Sequence, residues 1–222
     1  MSTKVNFYGK KNPWAIPLYT PYEAARYLSM HPNTVYYWID TEAQSANLSV
    51  AGKRSLTFQN LVELYVLKAL REIHKVPLQK IRAAVDYFRN KEHIEHPLSD
   101  LQLSTDRHNI LYKEFSRLIN ASESGQLEFG EIIAPYLKRI ERRPDNVPVR
   151  IYPFTNKRHF GKFVSIDPCI QFGKPCVAGT RIKTSAIVER FKAGEKKAEL
   201  AKDYELTPRQ ISEAISYEQG AA

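Results

Sequence analysis

The sequence predicts a mainly α protein with short β hairpins. Apolar residues recur at helical spacing in several stretches, most cleanly at Leu78, Ile81, Val85 and Phe88. Capping signals open two such stretches, Thr20 with Glu23 and Thr207 with Gln210. Between them, short alternating runs bounded by turn residues read as strands. The elements divide into three modules, at residues 1–92, 93–160 and 161–222.

The first module begins with "TPYEAARYL". Thr20 suits an N-cap, Pro21 the first helical position, and Glu23 closes a capping box. Ala24, Ala25 and Leu28 give a small apolar face that lets a second helix approach closely. Ser29–His31 turn the chain, and Pro32 restarts a helix with Val35, Trp38 and Ile39 as its buried stripe. Asn33, Thr34, Tyr36 and Tyr37 are left pointing outward. That is the arrangement of a helix-turn-helix, whose second helix offers its N-terminal residues to base edges and phosphates. For Tyr36 and Tyr37, packing against neighbouring elements is the plainer alternative. The run "NLSVAGKRSLTF" then alternates and turns at Ala51–Gly52, with Lys53 and Arg54 near the tip, as in a wing laid along a phosphate backbone. Thr57 caps a long helix with Leu61, Leu64 and Leu67 on one side. A second helix, "LQKIRAAVDYFRNKE", keeps Lys80, Arg82 and Arg89 mostly off its stripe.

Residues 19–92 resemble the winged helix-turn-helix of the MerR and excisionase superfamily, through "TPYEAARYL", "NTVYYWI", "GKRSLTF", "LVELYVLKAL" and "LQKIRAAV". In that superfamily the second helix enters the major groove and the wing contacts the backbone. The resemblance implies that Asn33, Thr34, Tyr36 and Tyr37 are recognition-helix contacts and that Lys53 and Arg54 are wing contacts. His31 stands where a Ser or Thr cap is usual, and Tyr37 where relatives often carry a basic residue. Groove docking is therefore implied more firmly than any base preference.

The middle module is expected to be a small α+β segment. "HPLSDLQLSTDRHNILYKEF" has room for one or two strands, "FGEIIAPYLKRIERR" reads as a helix interrupted near Pro135, and "VPVRIYPF" as a strand through Val149, Ile151 and Tyr152. His93, His96 and His108 lack zinc-site spacing and a fourth ligand, so they read as surface histidines. No Ser, His and carboxylate set has nucleophile context.

The third module opens with "FVSIDPCIQFGKPCVAGTRIKTSAIVERF". Phe163, Val164 and Ile166 make a short strand ended by Asp167–Pro168, and Gly173 and Gly179 permit tight turns. Gly173–Lys174 is not a P-loop, because the glycine spacing and a following Ser or Thr are absent. Three short helices follow, with Thr184 as the expected cap of the first, and the last two are joined by a tight turn. A helix-turn-helix-like domain is the expectation. Residues 162–218 also resemble an antitoxin-associated family long catalogued only as a domain of unknown function. The match lies in Asp167, Pro168, Gly173, Lys174, Pro175, Gly179, Thr180, Arg181 and Ile182, with Cys176 in place of an aliphatic residue. Members of that family commonly stand as VapB-class antitoxins beside a PIN-type ribonuclease toxin. Thr180 and Arg181 read either as partner contacts or as stabilisers of the glycine-rich turns.

Charge bears on partners. Net charge is +9, and residues 1–92 carry 13 Lys and Arg against 7 Asp and Glu, so most of the excess sits in the first module. A basic module favours polyanions through counterion release. No run approaches the length of a membrane span, and the N-terminus lacks the apolar core of a signal peptide, so a cytoplasmic chain with no membrane contact is expected. Cys169 and Cys176 fit neither a zinc knuckle nor a redox motif and read as free thiols.

The expectation is a non-enzymatic antitoxin, without metal or cofactor. It would bind double-stranded operator DNA as a homodimer and neutralise a PIN-type nuclease toxin, with Arg142, Arg143 and Arg158 as candidate inhibitory cations. The alternative is a plain transcription regulator whose C-terminal module dimerises or senses a ligand.

Overall fold

A computed structural model describes residues 8, 12–43, 55–73, 76–101, 113–117, 133–154 and 161–220. The expected wing contacts Lys53 and Arg54 lie outside these residues, as do His108 and Arg158. The helices are α1 (Pro21–Tyr27), α2 (Pro32–Ala43), α3 (Phe58–Lys68, continued by a π-helical turn Ala69–Ile73), α4 (Leu78–Lys91) and α5 (Pro97–Asp100). Helical residues 113–117 (α6) and 133–137 (α7) follow. The series closes with α8 (Thr184–Lys192), α9 (Lys197–Asp203) and α10 (Pro208–Gly220). Among the described residues four short strands, β1 (Ile140–Arg142), β2 (Pro148–Ile151), β3 (Val164–Ser165) and β4 (Cys176–Val177), pair as β1–β2 and β3–β4. A mainly α protein with short β hairpins is what the sequence predicts and what the structure holds. The chain groups into two compact units, one of residues 1–35, 55–58 and 149–222, the other of residues 36–54 and 59–148.

In the first unit, α1 begins with a complete capping box: Thr20 Oγ1 accepts the Glu23 N–H at 3.1 Å, and the Thr20 N–H donates to Glu23 Oε2 at 2.9 Å. The helix ends by passing through Ser29 at φ 51, with Met30 N–H on Ala25 O at 2.8 Å and Ser29 N–H on Arg26 O at 3.1 Å. These two bonds satisfy carbonyls that the helix end leaves open, as in a Schellman motif. His31 then supplies the cap that its residue type did not promise: its Nδ1 accepts the Asn33 N–H at 3.2 Å. The turn between α9 and α10 is built alike. Glu205 is left-handed at φ 53, Leu206 N–H bonds Ala201 O at 2.9 Å, and Thr207 with Gln210 forms the expected capping pair before Pro208.

Helices α8 to α10 close on a core of Val177, Ile187, Val188, Leu200, Ala201, Ile211, Ala214 and Ile215. Arg190 ties Glu195 and Asp203 together, at 2.7 Å to Asp203 Oδ2. Thr184 is not the cap of α8. It is the first residue of the helix, fully buried, with its hydroxyl on Pro175 O and on Glu218. Burial beneath α10 takes the hydroxyl away from the backbone N–H groups that a cap would serve. Tyr217, buried in α10, donates its hydroxyl to Tyr27 O at the end of α1, at 2.8 Å.

In the second unit, α3 is buried nearly all round. Leu61, Leu64 and Leu67 do not define one side, since Val62, Tyr65 and Val66 are equally buried, as are Asn60 and Glu63. A helix hidden on every face carries no amphipathic period. The stripe expected on α4 is observed, with Leu78, Ile81, Val85 and Phe88 all buried. His96 is not a surface histidine: its side chain is 14% exposed, and Nδ1 lies 3.1 Å from Glu63 Oε2. Residues 97–100 and 113–117 are helical where strands had room to form. Ile140–Arg142 is a strand where a helix was expected to continue. In both places local propensity was the only guide, and long-range packing decides the outcome.

Candidate functional site

Helix α2 presents the candidate DNA-reading residues unequally. Val35, Trp38 and Ile39 are buried at 0%, 4% and 2% exposure, which fixes the rotation of the helix. Asn33 and Tyr37 are exposed, Tyr37 at 57%, whereas Thr34 and Tyr36 are half-buried. In the capped turn before Pro32 the first-turn N–H groups of α2 are engaged locally, Asn33 N–H on His31 Nδ1 and the Thr34 and Val35 N–H groups on His31 O.

The second candidate site is the turn system around Gly-Lys-Pro. Strand β3 pairs antiparallel with β4, Val164 opposite Val177 and Ser165 opposite Cys176. Asp167 then turns the chain: Oδ1 accepts the Cys169 N–H at 2.8 Å, and Oδ2 receives Arg150 Nη2 at 2.8 Å and Nε at 3.2 Å. Gln171, Phe172 and Gly173 follow with φ of 49, 54 and 73, three left-handed residues in succession. Gly173 is fixed by space as well as by angle, because a Cβ there would lie 2.1 Å from the hydroxyl oxygen of buried Tyr19. Gly179, at φ 81, has nothing within 4 Å of such an atom and needs only the angle.

Pro175 is buried and its carbonyl accepts from both the backbone and the hydroxyl of Thr184. Thr180 Oγ1 donates to Val177 O at 2.9 Å and accepts the Ile182 N–H at 3.0 Å, closing its own turn. Its hydroxyl is thus engaged in holding the loop. Lys174 and Arg181 are exposed. Gln171 Nε2 donates to Arg181 O at 3.0 Å and so joins the two turns. Cys176 is buried and burial pushes its thiol up to about 11, which keeps it an unreactive thiol at neutral pH. Cys169 is exposed.

Of the candidate inhibitory cations, Arg142 is unavailable. Its guanidinium donates to Ser99 O at 2.6 Å, Leu101 O at 2.9 Å and Asn146 O at 3.1 Å, and burial pulls its pKa down to about 10. Arg143 is exposed and paired with Asp145. Phe172 carries no sequence signal, since an aromatic ahead of Gly-Lys-Pro reads as an ordinary turn residue. Its left-handed backbone and 54% exposure appear only in the fold. Among the described residues no group of three or more His, Cys, Asp or Glu side chains could hold a metal ion. No described helix is long and apolar enough to cross a membrane.

Comparison with known proteins places this geometry. Residues 164–217, the β3–β4 turn system and helices α8 to α10, match the family model described as "Protein of unknown function (DUF433)". The chain is 29% identical over 229 residues to "Putative antitoxin VapB45" of Mycobacterium tuberculosis, spanning 90% of this chain and 93% of that one. It is also 29% identical over 170 residues to "Uncharacterized protein Rv2308" of the same organism, spanning 73% of this chain and 70% of the other. Among solved structures, the crystal structure of Rv2018 from M. tuberculosis superimposes with a TM-score of 0.70 at 27% identity, covering 91% of this chain and 99% of that chain. The chain is thus similar over nearly its whole length to a protein named as a putative antitoxin, and its residues 164–217 match the DUF433 model.

Proposed function

We propose that the chain is the antitoxin of a type II toxin–antitoxin pair, binding and neutralising a PIN-type ribonuclease and reading its own operator DNA. The single observation that carries the toxin half is the likeness to "Putative antitoxin VapB45" over nearly the full length of both chains. Operator binding is supported by the capped turn before α2, by exposed Asn33 and Tyr37, and by the charge excess of residues 1–92. In this reading residues 1–92 form a MerR-like winged helix-turn-helix that docks on DNA. Asn33, Thr34, Tyr36 and Tyr37 face the groove, and Lys53 and Arg54 lie along the backbone. A homodimer would place two such helices on one face of the duplex. Residues 93–160 and 161–222 would engage the nuclease, and the protein itself performs no catalysis.

Two measurements test the reading together. Co-expression with the product of the adjacent gene should yield a stable complex in which the nuclease loses RNase activity. The chain should also retard its own promoter fragment, and Tyr37→Ala should weaken that binding severalfold without lowering thermal stability, because the ring is mostly in solvent. A chain that shifts the promoter yet inhibits no nuclease is a plain regulator instead. A Tyr37→Ala variant with unchanged promoter affinity removes that residue from the interface.

A further inference from the structure

We propose that Phe172 is an aromatic anchor for an acidic protein partner, with Lys174 and Arg181 as its flanking charge contacts. The inference rests on the antitoxin reading, in which that partner is the toxin. Phe172 sits at φ 54 and ψ 40 between two other left-handed residues. A Cβ at such angles crowds the following carbonyl, and a single bulky residue there is uncommon. Strain of this kind persists only where the surroundings enforce it, and it gathers at functional positions. Burial does not explain the choice of residue, since the side chain is 54% exposed.

The ring is also braced. Tyr8 stands edge-on to it, with centroids 5.9 Å apart and planes at 81°, and the Tyr8 hydroxyl is anchored on Pro168 O at 2.7 Å. Gln171 clamps the turn to Arg181 O, and Lys174 N–H bonds Gln171 O at 3.1 Å. Phe172, Lys174 and Arg181 therefore belong to one stiffened surface, and a rigid aromatic gives up little freedom on binding. The fitting partner surface is an apolar pocket rimmed by carboxylates. A nucleic acid is the poorer match. Residues 161–222 balance 10 Lys and Arg against 8 Asp and Glu, whereas phosphate binding draws on a clear basic excess.

The test uses the full chain and the nuclease encoded beside it, produced with its own active site silenced. Phe172→Gly should weaken the complex about 30-fold or more, the scale of an interface hot spot. The melting temperature of the free chain should stay level or rise, because glycine accepts φ 54 without crowding. Lys174→Ala with Arg181→Ala should weaken the complex more at low salt than at high salt. Phe172→Gly affinity within threefold of wild type overturns the proposal, and so does a loss matched by a fall in melting temperature. A loss of DNA affinity in place of nuclease affinity assigns the surface to nucleic acid and overturns it too. If wild type itself fails to bind the nuclease, the antitoxin reading falls and takes this inference with it.

Discussion

Replacing Gly173 by alanine tests the geometry of the Gly-Lys-Pro turn directly. Two costs add at this position. A Cβ at φ +73 enters the left-handed region, at about 1–2 kcal/mol for an L-residue. The same atom would lie 2.1 Å from Tyr19 Oη and 2.9 Å from Cζ. Tyr19 has little room to retreat. It is 2% exposed, its backbone exchanges hydrogen bonds with Leu56 at 3.0 and 2.7 Å, and its ring meets Tyr27 edge-on at 6.1 Å. Forcing extra volume into such packing costs about 1–3 kcal/mol. Gly173→Ala should therefore destabilise the protein by about 2–5 kcal/mol, a large share of the roughly 5–15 kcal/mol typical of a domain. Gly179→Ala is the internal control, because it meets the angle without the clash and should cost only about 1–2 kcal/mol. Urea unfolding followed by circular dichroism measures both. Tyr19→Phe adds a third arm, since its hydroxyl is buried without a hydrogen-bond partner among the described residues and is the atom in closest conflict. Alone it should be neutral or slightly stabilising, and combined with Gly173→Ala it should recover about 1 kcal/mol through coupling. The reasoning fails if Gly173→Ala and Gly179→Ala cost the same, or if Tyr19→Phe gives no rescue.

Arg142→Ala should destabilise the protein by about 2–4 kcal/mol, because the carbonyls of Ser99, Leu101 and Asn146 lose their shared donor in a buried setting; its affinity for a nuclease partner, measured on the folded fraction, should be unchanged. Stability should also fall as pH rises through neutrality. Burial pulls the His96 pKa down, but the Glu63 hydrogen bond and the charges of Glu63, Glu95 and Asp100 outweigh it and leave the value raised. The folded pKa thus exceeds the unfolded one, so the contribution is complete below about pH 6.5 and is lost as pH passes the folded value. Melting temperatures from pH 5.5 to 8.5 should show the decline, and His96→Gln, which cannot titrate, should flatten it.

What the sequence revealed follows the range of the interactions involved. The Thr20–Glu23 and Thr207–Gln210 caps were legible because donor and acceptor lie three residues apart. The α4 stripe was legible because only one face of that helix is covered. Helix α3 hid its true burial, since a segment covered on all sides loses its period, and the partners of buried Glu63, Arg89 and His96, lie far along the chain. Ile140–Arg142 gave no strand signal because its partner strand decides it. His31 misled by residue type alone: an imidazole nitrogen serves the Asn33 N–H as a hydroxyl would. In the C-terminal segment the glycines announced their turns, yet the reason for Gly173 is Tyr19, more than 150 positions away in the chain. Phe172 could not be read at all, because nothing in a sequence marks an aromatic as left-handed.

The hydroxyl of Tyr217 on the carbonyl of Tyr27 joins α10 to α1 across 190 residues. During synthesis at roughly 5–20 residues per second, α1 waits on the order of 10–40 s before that partner leaves the ribosome. The first unit therefore closes only once α10 has been synthesised. A chain cut short before α10 leaves the end of α1 and the floor of the three-helix core open to water, proteases and chaperones.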